Sequence, residues 1–425
     1  METDLSFETF GRSKSEIITL IEASSNSMNL PLSPLAEPDR LSALLLTISS
    51  ATPTSSFAPP LPITPLLSFS HLLTTQSLLI NKSTLNLFLH EHSLQTHLSY
   101  LHRFLLFTDG VFSSRLASAL FSAEATTTER SEAGHRTAST LGLRLGSRST
   151  WPPASSELRL ALTDVLSSCF NNNKDLPGGL SFTVRDMSPT EIAACTDPNS
   201  ITALDFLRIE YRPPAPLEAV ITPTSIYYYD KIFKFLLRLL RMVYVVNTTF
   251  WERARRSSSP AELQFCTEAR HFVTTLSSYI TTAGIGTTWA RFESKLAAIA
   301  ATAEQNNSGA TSLKDIRDLH ESTLDRIMFA VLAKHKQKGL MDIIEEIFTT
   351  VLRFAADEGA DAGKALRRLR KRVEVFKSVC RGLGGERRYG GKGGRGEGYK
   401  EEAGLLGMLL VGLEMGMTGE TGRGG

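Results

Sequence analysis

Four cations, Lys231, Lys234, Arg238 and Arg241, recur at steps of three, four and three through an otherwise apolar run. On a helix of about 3.6 residues per turn they share one face. Such a stripe can be solvated, can pair with neighbouring helices, or can meet an acidic partner. Arginine suits a partner role because its planar fork holds a carboxylate bidentately. Other reactive side chains offer less. His90, His92, His97 and His102 lie close together, but no i,i+4 pair is backed by a carboxylate or cysteine cluster, so no metal is expected. His320 falls in the spacing Ile316, His320, Leu324, Ile327, Val331, which predicts a packed histidine bonded to a neighbour. The run Gly382 to Gly398 lacks the G-x-x-x-x-G-K-[ST] loop and follows no apparent strand, so it is not a nucleotide cradle. Neither a G-x-S-x-G elbow nor H-E-x-x-H occurs, and scattered Ser, His and Asp do not imply a triad. The residues point to binding, with no cofactor and no catalytic set.

Bulk properties agree. The chain has 425 residues, of which 42 % are hydrophobic, enough for a sizeable core. At about 100–200 residues per domain this allows two or three packing units, or one helical array. A net charge of +2 is not that of a polycation built for nucleic acid. Cys169, Cys195, Cys266 and Cys380 are scattered, with no CxxC pair, which predicts a reducing interior. Met1 to Arg12 carries acidic residues and no apolar core, so no secretory signal is expected there. The apolar run Ile232 to Val246 is interrupted by Lys234, Arg238 and Arg241, and a span needs about 20 mostly apolar residues. A buried helix, with no membrane insertion, is the expectation.

Helices must therefore position the stripe. Ser188-Pro189-Thr190-Glu191 and Ser259-Pro260-Ala261-Glu262 are capping-box patterns with proline at the first helical position. Thr64-Pro65 and Thr222-Pro223 are simpler starts. Apolar residues recur at three and four in Leu158, Leu162, Val165, Cys169, in Phe265, Ala269, Phe272, Leu276, Tyr279, and in Leu340, Ile343, Ile347, Val351, Phe354. Each describes an amphipathic helix lying on a neighbour. Ile226 to Val246 is apolar nearly all round and should be a central helix. Leu180 to Val184 is the one modest strand candidate. Residues 1–62 form a poorly defined segment, 63–360 the helical domain, 123–150 a disordered insertion within it, 361–400 a basic, Gly/Arg-rich flexible segment, 401–417 a closing helix and 418–425 a tail. Lys and Arg far outnumber Asp and Glu between Ala362 and Lys400, which leaves an alternative: a helical protein that binds RNA or an acidic partner through this segment.

Longer motifs narrow the choice. Between Leu207 and Trp251 stand Tyr211, Pro216-Leu217, Val220-Ile221-Thr222-Pro223, then Tyr229-Asp230-Lys231-Ile232-Phe233-Lys234-Phe235-Leu236-Leu237-Arg238-Leu239-Leu240-Arg241. This resembles the central motif of the gamma-tubulin complex components, the spindle pole body component family. Other segments follow in the family's order: Leu101 to Phe121, Leu158 to Ser168, His271-Phe272-Val273 with Leu276, Tyr279 and Ile280, Trp289 with Phe292, Asp315 with His320 and Leu324, and Leu340 to Phe354. The resemblance covers roughly 65–354. Glu401 to Met417 resembles the family's closing leucine-rich helix, with extra glycines and without the aromatic residues that usually follow. The long 123–150 insertion points to a larger, divergent member, sixth- or fifth-like, and the Ser/Thr-rich loops to a fungal source. Family members carry a long N-terminal half that makes lateral contacts; nearly all of it is absent here, so the chain is expected to be a piece.

The resemblance implies an all-α fold of stacked helical bundles in an elongated array, and a non-enzymatic scaffold. It implies gamma-tubulin and other complex components as partners, and microtubule nucleation at the microtubule-organising centre or spindle pole body as the task. Nucleic acid is not expected as a partner. Lys231, Lys234, Arg238 and Arg241 become the candidate gamma-tubulin contact.

Overall fold

The computed structural model describes residues 64–122, 143, 145, 151–153, 155–169, 179–256, 259–304, 311–357, 359, 361–385 and 397–415. The chain divides into two compact units, residues 1–80 and 81–425. Of the first, the described part is the opening of helix α1, Thr64–Asn86, which crosses into the second.

The second unit is helical, with one small sheet. In order it contains α2 (Leu94–Tyr100), α3 (Gly110–Phe121), α4 (Ser155–Ser168), β1 (Leu180–Val184), α5 (Pro189–Cys195), β2 (Leu207–Tyr211), α6 (Pro223–Arg255) and α7 (Pro260–Ser278). There follow α8 (Thr287–Glu304), α9 (Leu313–Ala330), α10 (Lys338–Ala356), α11 (Ala362–Gly385) and α12 (Glu397–Met415). The all-α expectation holds. β1 and β2 pair antiparallel, Leu180 opposite Tyr211 and Val184 opposite Leu207. β2 was not foreseen, although Leu-Arg-Ile-Glu-Tyr alternates and buries Leu207, Ile209 and Tyr211.

The starts fall where the caps predict. Ser188 and Glu191 close a reciprocal box, Ser259 accepts from the Glu262 N–H, and Thr222 accepts from the Ser225 N–H. Each such cap is worth about 1 kcal/mol. Ser312 and Asp315 form a further box at the start of α9.

α6 is 33 residues long and is the central helix. Tyr229, Ile232, Phe233, Leu236, Leu237, Leu239 and Met242 are all buried. α7, α9, α10, α3 and β2 pack around it. Aromatic pairs hold this core: Phe107 lies 5.2 Å from Phe233 edge-on, and Phe265 4.1 Å from Phe354.

Leu94–Phe121 is long and apolar enough, by length and composition, to cross a membrane. It is not one helix. A π-helical turn, Leu101–Leu105, ends it, Phe107 takes a positive φ of 55°, and Asp109 starts α3 by accepting from Val111 and Phe112. Leu94, Leu98, Phe104, Phe112, Leu116 and Leu120 are core residues, so the run's apolarity is explained by packing.

The expected domain limits need correction. The glycine and arginine content from 361 predicts a flexible segment, but α11 spans Ala362–Gly385 and buries Leu366, Leu369, Val373, Phe376 and Cys380. It packs on α10, α7 and α12 within the same unit, so position 360 is not a packing boundary. Its basic residues mask a three/four apolar stripe, and several find carboxylates: Arg370 holds Glu268 at 2.5 Å and Arg372 holds Glu346 at 2.7 Å. The closing helix begins before 401. Segments 1–62, 386–396 and 418–425 lie outside the described residues. So does the 123–150 insertion, except Leu143 and Leu145, whose N–H groups donate to Ala119 and Leu120.

All four cysteines are thiols. Cys195, Cys266 and Cys380 are buried and Cys169 half-buried. Burial pushes the Cys266 thiol up to about 11 and Cys380 up to about 12.

Candidate functional site

Thr222 sets the start of α6, and Pro223 occupies its first position. The Thr222 hydroxyl also donates to Glu321 Oε1 at 2.8 Å, tying this end to α9. Two turns on, the Tyr229 hydroxyl lies 2.9 Å from His320 Nε2, and both side chains are fully buried. Burial lowers His320 to about 4, opposed by the Val220 main chain, so it is a neutral imidazole near pH 7. His320 is thus a packed histidine, as its spacing predicts.

The four cations part company along α6. Arg241 is 5 % exposed and donates to the carbonyls of Pro198 and Ser200, each at 2.5 Å. Burial lowers it to about 10, with Asp197 opposing. Arg238, 11 % exposed, forks onto Asp205 at 2.8 and 2.5 Å and reaches Glu345 Oε1 at 2.6 Å. Burial alone would lower Arg238; the Asp205 hydrogen bonds and the charges of Asp205 and Glu345 outweigh it and raise it above the ordinary value. Lys234 also reaches Asp205, at 3.1 Å, but remains 36 % exposed. Lys231 is exposed and stands 5.9 Å from the Tyr227 ring centroid.

The stripe therefore is not one contact face. Arg238 and Arg241 are turned to internal acceptors, which corrects their place as candidate contacts; Lys231 and Lys234 stay at the solvent edge. The acceptors are not implied by the spacing of the cations. Asp205 is contributed by the turn before β2, Glu345 by α10, and Arg185, beyond β1, reaches Asp230 Oδ1 at 2.5 Å and the Asp205 carbonyl. One signal was available: Asp205 is a lone carboxylate within Ala203-Leu204-Asp205-Phe206, and an ionised group among apolar residues needs a partner.

Two members of the histidine cluster, His97 and His102, are taken up in packing. His97 bonds the Tyr211 hydroxyl, and His102 stacks on Trp289 at 4.5 Å. Burial lowers His102 to about 4. Among the described residues no three His, Cys, Asp or Glu are placed to hold a metal.

A central helix wrapped by helices, pinned by Tyr229–His320 and Arg238–Asp205, with lysines left at its edge, defines a helical packing module. The chain belongs to the family described as gamma tubulin complex component C-terminal, whose pattern matches residues 94–381. It is 28 % identical over 289 residues to gamma-tubulin complex component 6 of Mus musculus, and 26 % over 287 residues to that of Homo sapiens. Each match covers 65 % of this chain but 14 % of the relative. The chain thus matches about a seventh of the length of these curated relatives.

Proposed function

We propose that the chain is a non-enzymatic scaffold of the gamma-tubulin complex that binds gamma-tubulin and supports microtubule nucleation at the microtubule-organising centre, in a fungal cell the spindle pole body. The observation that carries this reading is the family match across 94–381, which takes in the whole of the central helix and its surrounding shell. The mechanism is positional. The first lateral contacts of a nucleus cost association entropy, and subunits held side by side recover part of it as effective concentration. On this chain Lys231 and Lys234 supply contact charge, while Arg238 and Arg241 keep α6 in place behind them. Guanine nucleotide belongs to the tubulin in this scheme, not to the scaffold.

The test is capture of purified gamma-tubulin by the immobilised chain, at two salt concentrations. Saturable, salt-sensitive capture is expected. Retention of RNA with no capture of gamma-tubulin would favour the alternative that places binding in the Gly/Arg-rich segment.

A further inference from the structure

A cleft of about 440 Å³ opens between α6, α9, the α9–α10 turn and α12. Its apolar lining includes Met328, Phe329 and Leu406, all core side chains. Lysines stand around it: Lys231 from α6, Lys334 and Lys336 from the turn. Asp325 is the one acidic residue of the lining, and Lys334 already holds it at 2.8 Å while lying 5.5 Å from the Phe329 ring. Lys231 and Lys336 are exposed, and neither has an ion pair among the described residues. The local charge is therefore unbalanced and positive around an apolar floor.

The turn that carries two of these lysines has an unusual backbone. Leu332 adopts a positive φ of 61° and is fully buried. A branched side chain disfavours that conformation, and such residues persist where surrounding packing dictates them. Leu332 pins the turn from inside, so Lys334 and Lys336 are held beside the cleft rather than on a loose loop. Gln337 closes the floor; its Nε2 donates to the Phe329 carbonyl at 3.1 Å, and its Oε1 has no donor among the described residues.

We infer that this cleft receives an acidic peptide segment carrying one aromatic or aliphatic anchor side chain. Its volume lies within the roughly 300–1,000 Å³ usual for ligand sites. An inorganic anion would satisfy the lysines and leave the apolar floor wet. A flat bilayer surface could not reach a concave floor. A nucleic-acid backbone would meet Asp325 and would have no use for Met328 and Leu406. A carboxylate-rich segment with one apolar side chain satisfies both features, its charges meeting Lys231 and Lys336 and its anchor covering the floor. The cleft shares Lys231 with the proposed gamma-tubulin contact, so Lys336, the apolar floor and a peptide probe are what test it by itself.

The probe is a fluorescein-labelled synthetic peptide, Gly-Glu-Glu-Phe-Glu-Glu-Gly, titrated into the full chain and followed by anisotropy. Saturable binding is expected, weakened at least tenfold by the K231E/K336E double substitution with an unchanged melting curve. Replacing the peptide's Phe by Gly should weaken binding comparably. With benzoylphenylalanine as the anchor, irradiation should crosslink Met328 or Leu406. Absence of binding, equal binding by K231E/K336E, equal binding of the Gly peptide, or crosslinks spread over other basic surfaces would each overturn the assignment. Peptide binding without gamma-tubulin capture would sink the scaffold reading and leave this one standing.

Discussion

Arg238 forks onto both oxygens of Asp205, joining the middle of the central helix to the turn that leads into β2. Asp205 is only 7 % exposed, so neither partner has water to fall back on. Asp205→Ala should therefore destabilise the fold by about 1–3 kcal/mol: it removes both fork hydrogen bonds from a nearly buried guanidinium that keeps Glu345 as its remaining carboxylate. Arg238→Met together with D205A should cost less than the single D205A change. Urea melts of the three variants check this; a D205A curve that overlays the parent would show the pair to be idle.

Charge reversal should separate the two halves of the stripe. Lys231→Glu with Lys234→Glu is expected to reduce gamma-tubulin capture by tenfold or more, since like charges facing each other at an interface cost several kcal/mol. Its melt should move less than that of the arginine pair: Lys231 is exposed, and Lys234, itself 36 % exposed, loses only the outermost of the cations around Asp205. Arg238→Glu with Arg241→Glu should do the opposite and lower the melting temperature first. Equal loss of capture by both variants at equal stability would mean that α6 meets its partner along its whole length.

Acid should loosen the α6–α9 contact. Burial holds His320 at about 4 against an ordinary 6.5, so between those values the unfolded chain binds a proton that the folded one refuses. Stability is then full above about pH 6.5 and declines as the pH falls toward 4, by at most about 1.4 kcal/mol per pH unit for each such group. His102, also at about 4, acts in the same direction. His320→Gln should flatten part of the slope measured by denaturant titration at pH 7, 6 and 5. A slope that this change leaves intact would assign the acid sensitivity elsewhere.

Gly412 of α12 lies against Thr275 of α7. A Cβ there would stand 2.9 Å from Thr275 Cγ2, closer than such atoms sit. Gly412→Ala should cost about 1–3 kcal/mol by overpacking, and Thr275→Ser, which removes that methyl, should recover much of it. Failure of the second change to rescue the first would point to the helix backbone instead.

Much of the architecture was legible in the sequence because its signals are local. Ser188, Thr222 and Ser259 mark helix starts through their own neighbours, and Leu180–Val184 was visible as a strand. α11 was obscured because arginine and glycine dominate its composition, while its buried set, Leu366, Leu369, Val373, Phe376 and Cys380, keeps helical spacing. The fate of the basic stripe was not legible. Arg238 looks the same in sequence whether it faces solvent, a partner or Asp205, and its acceptors lie 33 and 107 residues away.

The cysteines have a practical consequence. Thiolate is the species that reacts with maleimides, and burial both hides Cys266 and Cys380 and holds their protons on far above neutral pH. Cys195 is enclosed as well, and half-buried Cys169 is also pushed up, first by burial and then by Asp109. The folded chain thus has a low background for dye attachment. A single cysteine placed at an exposed position such as Lys336 can report through fluorescence on what approaches this surface, without first stripping the native thiols from the core.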